Sequence, residues 1–154
     1  MKYSKSLLLM MIILPWFTVP FLGKDTFKRY LPAGLFISLV VQIVHSIAKQ
    51  RRWWWWHEPS GGLAFIGGPY FVGTLWILKW TYGKFIRYMA LNLAVHSMFT
   101  YVLVDWLRKA RIVSLVRLQK IHLLLIFLLD ALLLYGFQVL KEQIEMNEEC
   151  SRIE

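Results

Sequence analysis

Two ionisable side chains, His96 and Asp130, lie deep inside apolar stretches of the sequence. His96 is 11 residues from Leu107, about 16 Å along a helix, and Asp130 is 9 residues from Ile121, about 14 Å. If both helices start from one membrane surface, the two groups lie at one depth, with Asn92 one turn from His96. Such a polar pair has two uses: hydrogen bonding between helices, or carrying protons or ions.

A second unusual feature is the row of four tryptophans, Trp53 to Trp56, directly after Arg51 and Arg52. On a helix, consecutive side chains point in directions about 100° apart, so the four rings cannot share one buried face. A membrane interface satisfies all of them, with the two arginines at the phosphate level. The row therefore predicts an interfacial anchor at the end of a helix that runs to Trp56. A ligand-stacking platform completed by His57 and Glu58 is the alternative.

The segment from Arg108 to Lys120 carries five basic residues and no acidic one. Its apolar residues recur at helical spacing, which predicts a short interfacial helix that binds anionic lipid. The basic side chains are Arg108, Lys109, Arg111, Arg117 and Lys120. In a polar protein, a net charge of +9 would suggest nucleic-acid binding. Here 58% of all residues in the chain are hydrophobic, which excludes nucleic acid as the partner.

Five apolar segments must position these groups, and they predict an all-α fold: a helical integral membrane protein with four to five transmembrane helices. The candidate spans are 7–22, 30–48, 63–80, 89–107 and 121–140, within a bundle that occupies 1–140. A spanning helix needs about 20 residues, so the first span is marginal. It is either a short span or a hairpin arm, since no small-residue cleavage site follows it. Residues 141–154 form an acidic C-terminal tail.

Two further patterns concern helix packing. The stripe Gly34, Ser38, Gln42 and His45 predicts a face of the second helix that packs closely against a neighbour. The glycine-rich start of the third span, GGLAFIGGPYFVG, predicts a helix that begins at Pro69, preceded by a re-entrant stretch.

Basic residues also predict an orientation. With five spans, the N-terminus, the tryptophan loop and the segment from Arg108 to Lys120 share one side and hold 10 basic residues, against 8 on the other. Because cytoplasmic loops are enriched in Lys and Arg, we expect Arg108 to Lys120 inside and Glu145 to Glu154 outside.

Motifs for catalysis, for cofactors and for metal binding are missing from the sequence. Gly68 and Gly73 have the spacing of a phosphate-binding loop, but Thr74 stands where that loop needs lysine. The four histidines do not share ligand spacing, and Cys150 is the only cysteine. We therefore expect no catalytic residue, no cofactor and no metal site.

Three stretches resemble a family of small multi-pass membrane proteins from Bacillus-like, spore-forming bacteria. They are LPWFTVPFLGKDTFKRYLPAGLF, GPYFVGTLWILKWTYGKF, and IVSLVRL followed by LLLYGFQ, and they span most of residues 14–138. The resemblance implies a multi-pass protein of the bacterial plasma membrane and brings no site residue with it. The sequence thus predicts a non-enzymatic membrane protein that acts through contacts with lipids, other membrane proteins or further copies of itself. The alternative is a small oligomeric transporter or proton-coupled channel subunit that uses His96 and Asp130.

Overall fold

The protein is described by a computed structural model for residues 2–56, 61–109, 113–115 and 119–153. Most of these residues lie in five helices, which confirms the all-α prediction. The helices are α1 (Lys2–Trp16), α2 (Lys24–Gln50), α3 (Gly61–Thr81), α4 (Phe85–Lys109) and α5 (Lys120–Ile153). A short 3-10 helix (Val19–Leu22) follows α1, and two strands of three residues, β1 (Trp54–Trp56) and β2 (Val113–Leu115), connect helices.

Helices α2 to α5 are long and apolar enough to cross a membrane, and α1 is shorter. At 1.5 Å per residue, the 27 residues of α2 reach about 40 Å, beyond a hydrocarbon core of about 30 Å. The 34 residues of α5 reach about 51 Å, because this helix continues without a break through the acidic tail. The chain is therefore a helical membrane protein, and α5 projects from one end of its bundle.

Successive contacts show how the helices run. Along α1 and the turn after it, Met11 lies against Gly68, Trp16 stacks on Phe71, and the Leu22 carbonyl accepts a hydrogen bond from Lys79. Residue numbers rise together in both segments, so α1 lies parallel to α3.

The remaining neighbours are antiparallel. Tyr88 of α4 donates to the Ala131 carbonyl of α5 at 2.8 Å, while Lys120 at the start of α5 bonds Asp105 near the end of α4. Helices α1, α3 and α5 consequently run in one direction, and α2 and α4 in the other. We call the end with Trp53 and Lys120 the tryptophan end, and the end with Gly23 and Glu142 the Glu142 end.

Helix α3 is the centre of the bundle, since 56% of its most apolar stretch is buried. It contacts α1, α2 and α4, and α5 closes the other side against α2 and α4. Its course differs from the prediction of a start at Pro69: it begins at Gly61 and passes through a π-helical stretch at Ile66–Tyr70. The wider π turn has a physical cause, because Pro69 lacks an N–H and its ring would clash with the carbonyl four residues back.

The small-and-polar stripe of α2 packs closely against α3, as predicted. A Cβ added at Gly34 would lie 2.9 Å from the Phe71 ring, and one added at Gly62 of α3 would clash with the His45 ring. Both glycines therefore let the two helices approach each other. Ser38 Oγ and Gln42 Oε1, also on this stripe, are buried with no hydrogen-bond partner in the described part of the chain.

The prediction that the second helix runs to Trp56 is wrong, because α2 ends at Gln50. Arg52 has a left-handed φ of 55°, and Trp53 N–H donates to the Ala48 carbonyl at 2.9 Å, which closes the helix with a Schellman turn. The chain then becomes extended, as aromatic residues favour, and β1 pairs with β2 in antiparallel register. The tryptophan row therefore lies beyond the end of α2 and is not part of that helix.

The segment from Arg108 to Lys120 also differs from its prediction. Helix α4 ends at Lys109, β2 replaces the expected helix over Val113–Leu115, and α5 begins at Lys120. Pairing with β1 gives this backbone the hydrogen bonds that a helix would otherwise supply. Arg111 and Arg117 lie outside the described residues, as do His57 and Glu58.

Candidate functional site

His96 and Asp130 lie within about one helical turn of the same depth, but their side chains face different cavities. The His96 ring stacks on Phe127, three residues before Asp130, at a centroid distance of 4.8 Å. In the described part of the chain, no hydrogen bond or ion pair joins the two side chains. They face different cavities, because the depth of a residue along its helix does not fix the direction in which its side chain points. Among the described residues, the predicted polar pair is therefore not joined by a direct hydrogen bond or ion pair.

Asp130 faces a cavity of about 60 Å³ between α2, α3, α4 and α5, which we call the inner cavity. His45 and Gly62 form part of its lining, and most of the rest is aliphatic or aromatic. Asp130 is 3% exposed, and among the described residues its Oδ2 has no hydrogen-bond partner. Burying a carboxyl group without a hydrogen-bond partner in an apolar cavity costs free energy, so Asp130 is an unusual residue at this position.

His96 faces a larger cavity of about 310 Å³ between α3, α4 and α5, which we call the side cavity. Asn92, Tyr70 and Thr74 also contribute to its wall, and the remaining side chains are apolar. Asn92 is 3% exposed, and its Nδ2 donates to the Tyr88 carbonyl at 2.9 Å. The amide thus bonds its own helix, whereas Tyr88 supplies the hydrogen bond between α4 and α5.

Aromatic rings separate the two cavities. Phe65 and Phe99 line both, with their ring centroids 4.8 Å apart, and Phe127 packs against Phe99 at 5.5 Å. Phe65 directly precedes the π-helical stretch Ile66–Tyr70, and Phe99 begins the other one, Phe99–Leu103. Single π turns inside helices occur frequently at functional sites.

Charged groups concentrate at the two ends of the bundle. At the tryptophan end, Lys120 Nζ lies 2.7 Å from Asp105 Oδ2, so this lysine, one of the predicted lipid ligands, already has an acidic partner. Arg108, Lys109, Arg51 and Arg52 are exposed there. The positions of these four side chains are compatible with binding anionic headgroups, which stays a prediction.

The Glu142 end carries a denser network. Arg29 Nε and Nη2 donate to the two Glu142 oxygens at 2.7 and 2.9 Å, and Gln138 Nε2 donates to Glu142 Oε1 at 2.6 Å. The Arg29 guanidinium also lies 5.4 Å from the ring centroids of both Tyr30 and Tyr82. This network fastens the start of α2 to α5 where the acidic tail begins.

Sequence reasoning did not identify Tyr70, Gly73 and Thr74 as site residues, although all three contribute to the α3 wall of the side cavity. A signal was present, because all three lie in or just after the glycine-rich stretch. The glycines of that stretch predicted an irregular backbone ahead of Pro69, and they carry no information on which side chains line a cavity. In the described residues, no group of three or more His, Cys, Asp or Glu side chains is placed to hold a metal ion.

The fold and the cavities define a class: a helical membrane protein whose polar side chains face separate apolar cavities between its helices. Comparison with protein families, curated proteins and solved structures found no match.

Proposed function

We propose that this protein is a non-enzymatic, multi-pass protein of the bacterial plasma membrane that acts through contacts with lipids or other membrane proteins. In this proposal it belongs with the small membrane proteins of spore-forming bacteria that its sequence resembles. The observation that carries the proposal is the separation of the two deep ionisable groups. His96 and Asp130 face different cavities, whose walls are mostly apolar and which phenylalanine rings separate. A proton or ion path would instead need continuous polar groups.

One observation favours the alternative, a transporter or proton-coupled channel subunit. Asp130 is buried at mid-membrane depth with an oxygen that no described residue satisfies. Titrating carboxylates of this kind occur in proton relays of membrane transporters.

The substitution Asp130→Asn decides between the two functions. We expect it to be tolerated, with a change of less than about 1 kcal/mol in the free energy of unfolding and normal function, because asparagine keeps the size and removes the ionisable group. Thermal stability in detergent and the phenotype of a complemented deletion strain are the measurements, with His96→Gln studied in parallel.

Asp105→Asn is the matched control, since it makes the same change at the membrane surface, where the acid is paired with Lys120. A folded and abundant Asp130→Asn protein without function, beside a functional Asp105→Asn protein, would promote the transporter alternative, because asparagine cannot exchange a proton.

The proposed orientation places the tryptophan end in the cytoplasm and the acidic tail outside. It is supported by the parallel course of α1 and α3, which puts the N-terminal lysines at the end that carries the other basic loops. Cys150 is exposed on the projecting part of α5. We expect it to react with a membrane-impermeant maleimide in intact cells. Labelling only after lysis, while a cysteine introduced at Lys109 reacts before lysis, would reverse the orientation.

A further inference from the structure

The side cavity opens toward lipid rather than toward water. Met98 and Val102 line it and are 65% and 64% exposed on the outer face of α4. Both lie in the interior of a helix that is long enough to span the membrane. Among the residues that the structure describes, no Lys, Arg, Asp or Glu lines this cavity. A molecule that enters it therefore comes from the hydrocarbon layer.

The cavity wall also carries hydrogen-bonding groups for which the described residues provide no hydrogen-bond partner. Among the described residues, neither the His96 ring nitrogens nor the Tyr70 hydroxyl forms a hydrogen bond. A neutral imidazole has one N–H donor and one acceptor, and a phenol has one O–H donor. Polar groups in an apolar medium lose stability unless something pairs with them, so this wall is suited to a ligand with hydrogen-bond acceptors.

The backbone around the cavity is irregular on both sides. The π-helical stretch of α3 contributes Pro69 and Tyr70 to the lining, and that of α4 contributes Phe99 and Val102. The two π turns thus shape facing walls of a single cavity, which is an arrangement that regular helix packing does not require.

We propose that the side cavity binds a neutral membrane lipid whose head group carries carbonyl oxygens, such as a quinone or an acylglycerol. The carbonyls accept hydrogen bonds from His96 and Tyr70, and the lipid chain leaves between Met98 and Val102 into the bilayer. An anionic head group is disfavoured because none of the described lining residues is cationic. About 310 Å³ is at the lower end of ligand pockets, which suits a head group with the first part of its chain. The inference deepens the proposed function, since it names a lipid class and a site.

A cavity-filling substitution tests it. Gly73 lines the cavity, and a Cβ added there meets no atom within 4 Å, so the leucine side chain of Gly73→Leu begins in open space and is expected to extend into the volume of the ligand. Gly136→Leu is the matched control, because a Cβ at Gly136 also meets nothing within 4 Å and the residue is exposed on α5 away from both cavities. A second variant, His96→Phe, keeps an aromatic ring against Phe127 and removes the hydrogen bonds.

The probes are decylubiquinone and dioctanoylglycerol, with dioctanoylphosphatidylglycerol as the anionic comparison. Binding to purified protein is measured by native mass spectrometry and by the ligand-dependent rise in thermal stability. We expect the wild type and Gly136→Leu to bind a neutral probe, and Gly73→Leu and His96→Phe to bind it about tenfold more weakly or worse. The response to each neutral probe distinguishes a quinone from an acylglycerol.

Equal binding by the wild type and Gly73→Leu, or binding of the anionic probe alone, would overturn the inference. Circular dichroism of each variant shows whether weaker binding comes from misfolding, and His96→Phe remains a test if Gly73→Leu does not fold. The result is separable from that of the proposed function. Failure of lipid binding leaves the Asp130→Asn phenotype unaffected, and loss of function in Asp130→Asn leaves probe binding in the side cavity unaffected.

Discussion

Replacing Gly68 by leucine is expected to separate α1 from α3 and to lower the free energy of unfolding by about 3 kcal/mol. A Cβ at this position would lie 2.5 Å from the Met11 carbonyl oxygen and 3.0 Å from the Ile12 Cα. Both atoms belong to the backbone of α1, so no side-chain rotation relieves the clash. Close approach through a small residue is a principal source of helix association in membranes, where no hydrophobic force brings helices together.

Gly67→Leu is a demanding control for this prediction, because it introduces the same side chain one residue earlier. A Cβ at Gly67 meets no atom within 4 Å, and the Gly67 carbonyl can still accept the hydrogen bond from Trp16 Nε1. Unfolding by SDS titration gives the free energies. Trp76 Nε1 donates to Thr18 Oγ1 at 3.0 Å, so cross-linking of Thr18→Cys to Trp76→Cys by a short bismaleimide, in a Cys150→Ser background, reports on the docking of α1. Equal stability and equal cross-linking in the two leucine variants would show that α1 is not held through Gly68.

Reversing the charge of Glu142 is expected to cost about 2 kcal/mol of stability. Glu142→Arg removes a bidentate pair and places a second guanidinium beside Arg29, while Gln138 loses its acceptor. The expected loss of stability is only about 2 kcal/mol because the Arg29 side chain is 51% exposed, and water screens the attraction between exposed charges. The start of α2 and the point where α5 leaves the bundle should loosen together, since this network joins them.

The charge swap Arg29→Glu with Glu142→Arg is expected to restore part of the loss, and the coupling energy of this double-mutant cycle measures the pair directly. Glu145→Arg is the matched control, because the ion pair that Glu145 forms within the described residues is with Lys141 of its own helix, and its side chain is 57% exposed. An equal loss in Glu142→Arg and Glu145→Arg would mean that general charge, rather than the contact with Arg29, sets the stability of this end.

The sequence was a good guide to the number and extent of the long helices. Each apolar segment from residue 30 onward lies within one of α2 to α5, because a helix in lipid must satisfy its own backbone and needs about 20 apolar residues to cross. The stripe from Gly34 to His45 also identified the α2 face that packs on α3. Both predictions depend only on the spacing of residue types within one helix, so they need no information about the rest of the chain.

Predictions failed where a neighbouring segment changes the local structure. The tryptophan row and the basic segment both have plausible helical patterns, yet β1 and β2 pair with each other although they are distant in sequence. Trp55 pairs with Ser114, which is 59 residues further along the chain. The sequence also does not predict that α2 ends before the tryptophans. The left-handed conformation that ends a helix is usually adopted by glycine, and here Arg52 adopts it. Pairing between distant segments depends on where the helices bring their ends, and local propensity does not contain that information.

The candidate site shows the same division. The sequence alone determined that His96, Asn92 and Asp130 lie deep in apolar helices, because depth follows from residue counts at 1.5 Å each. Only the tertiary structure decided that His96 faces the side cavity and Asp130 the inner one, with Phe65 and Phe99 forming part of the wall of each. The physical reason is that packing fixes the rotation of each helix about its axis, and that rotation depends on how all neighbouring side chains fit together.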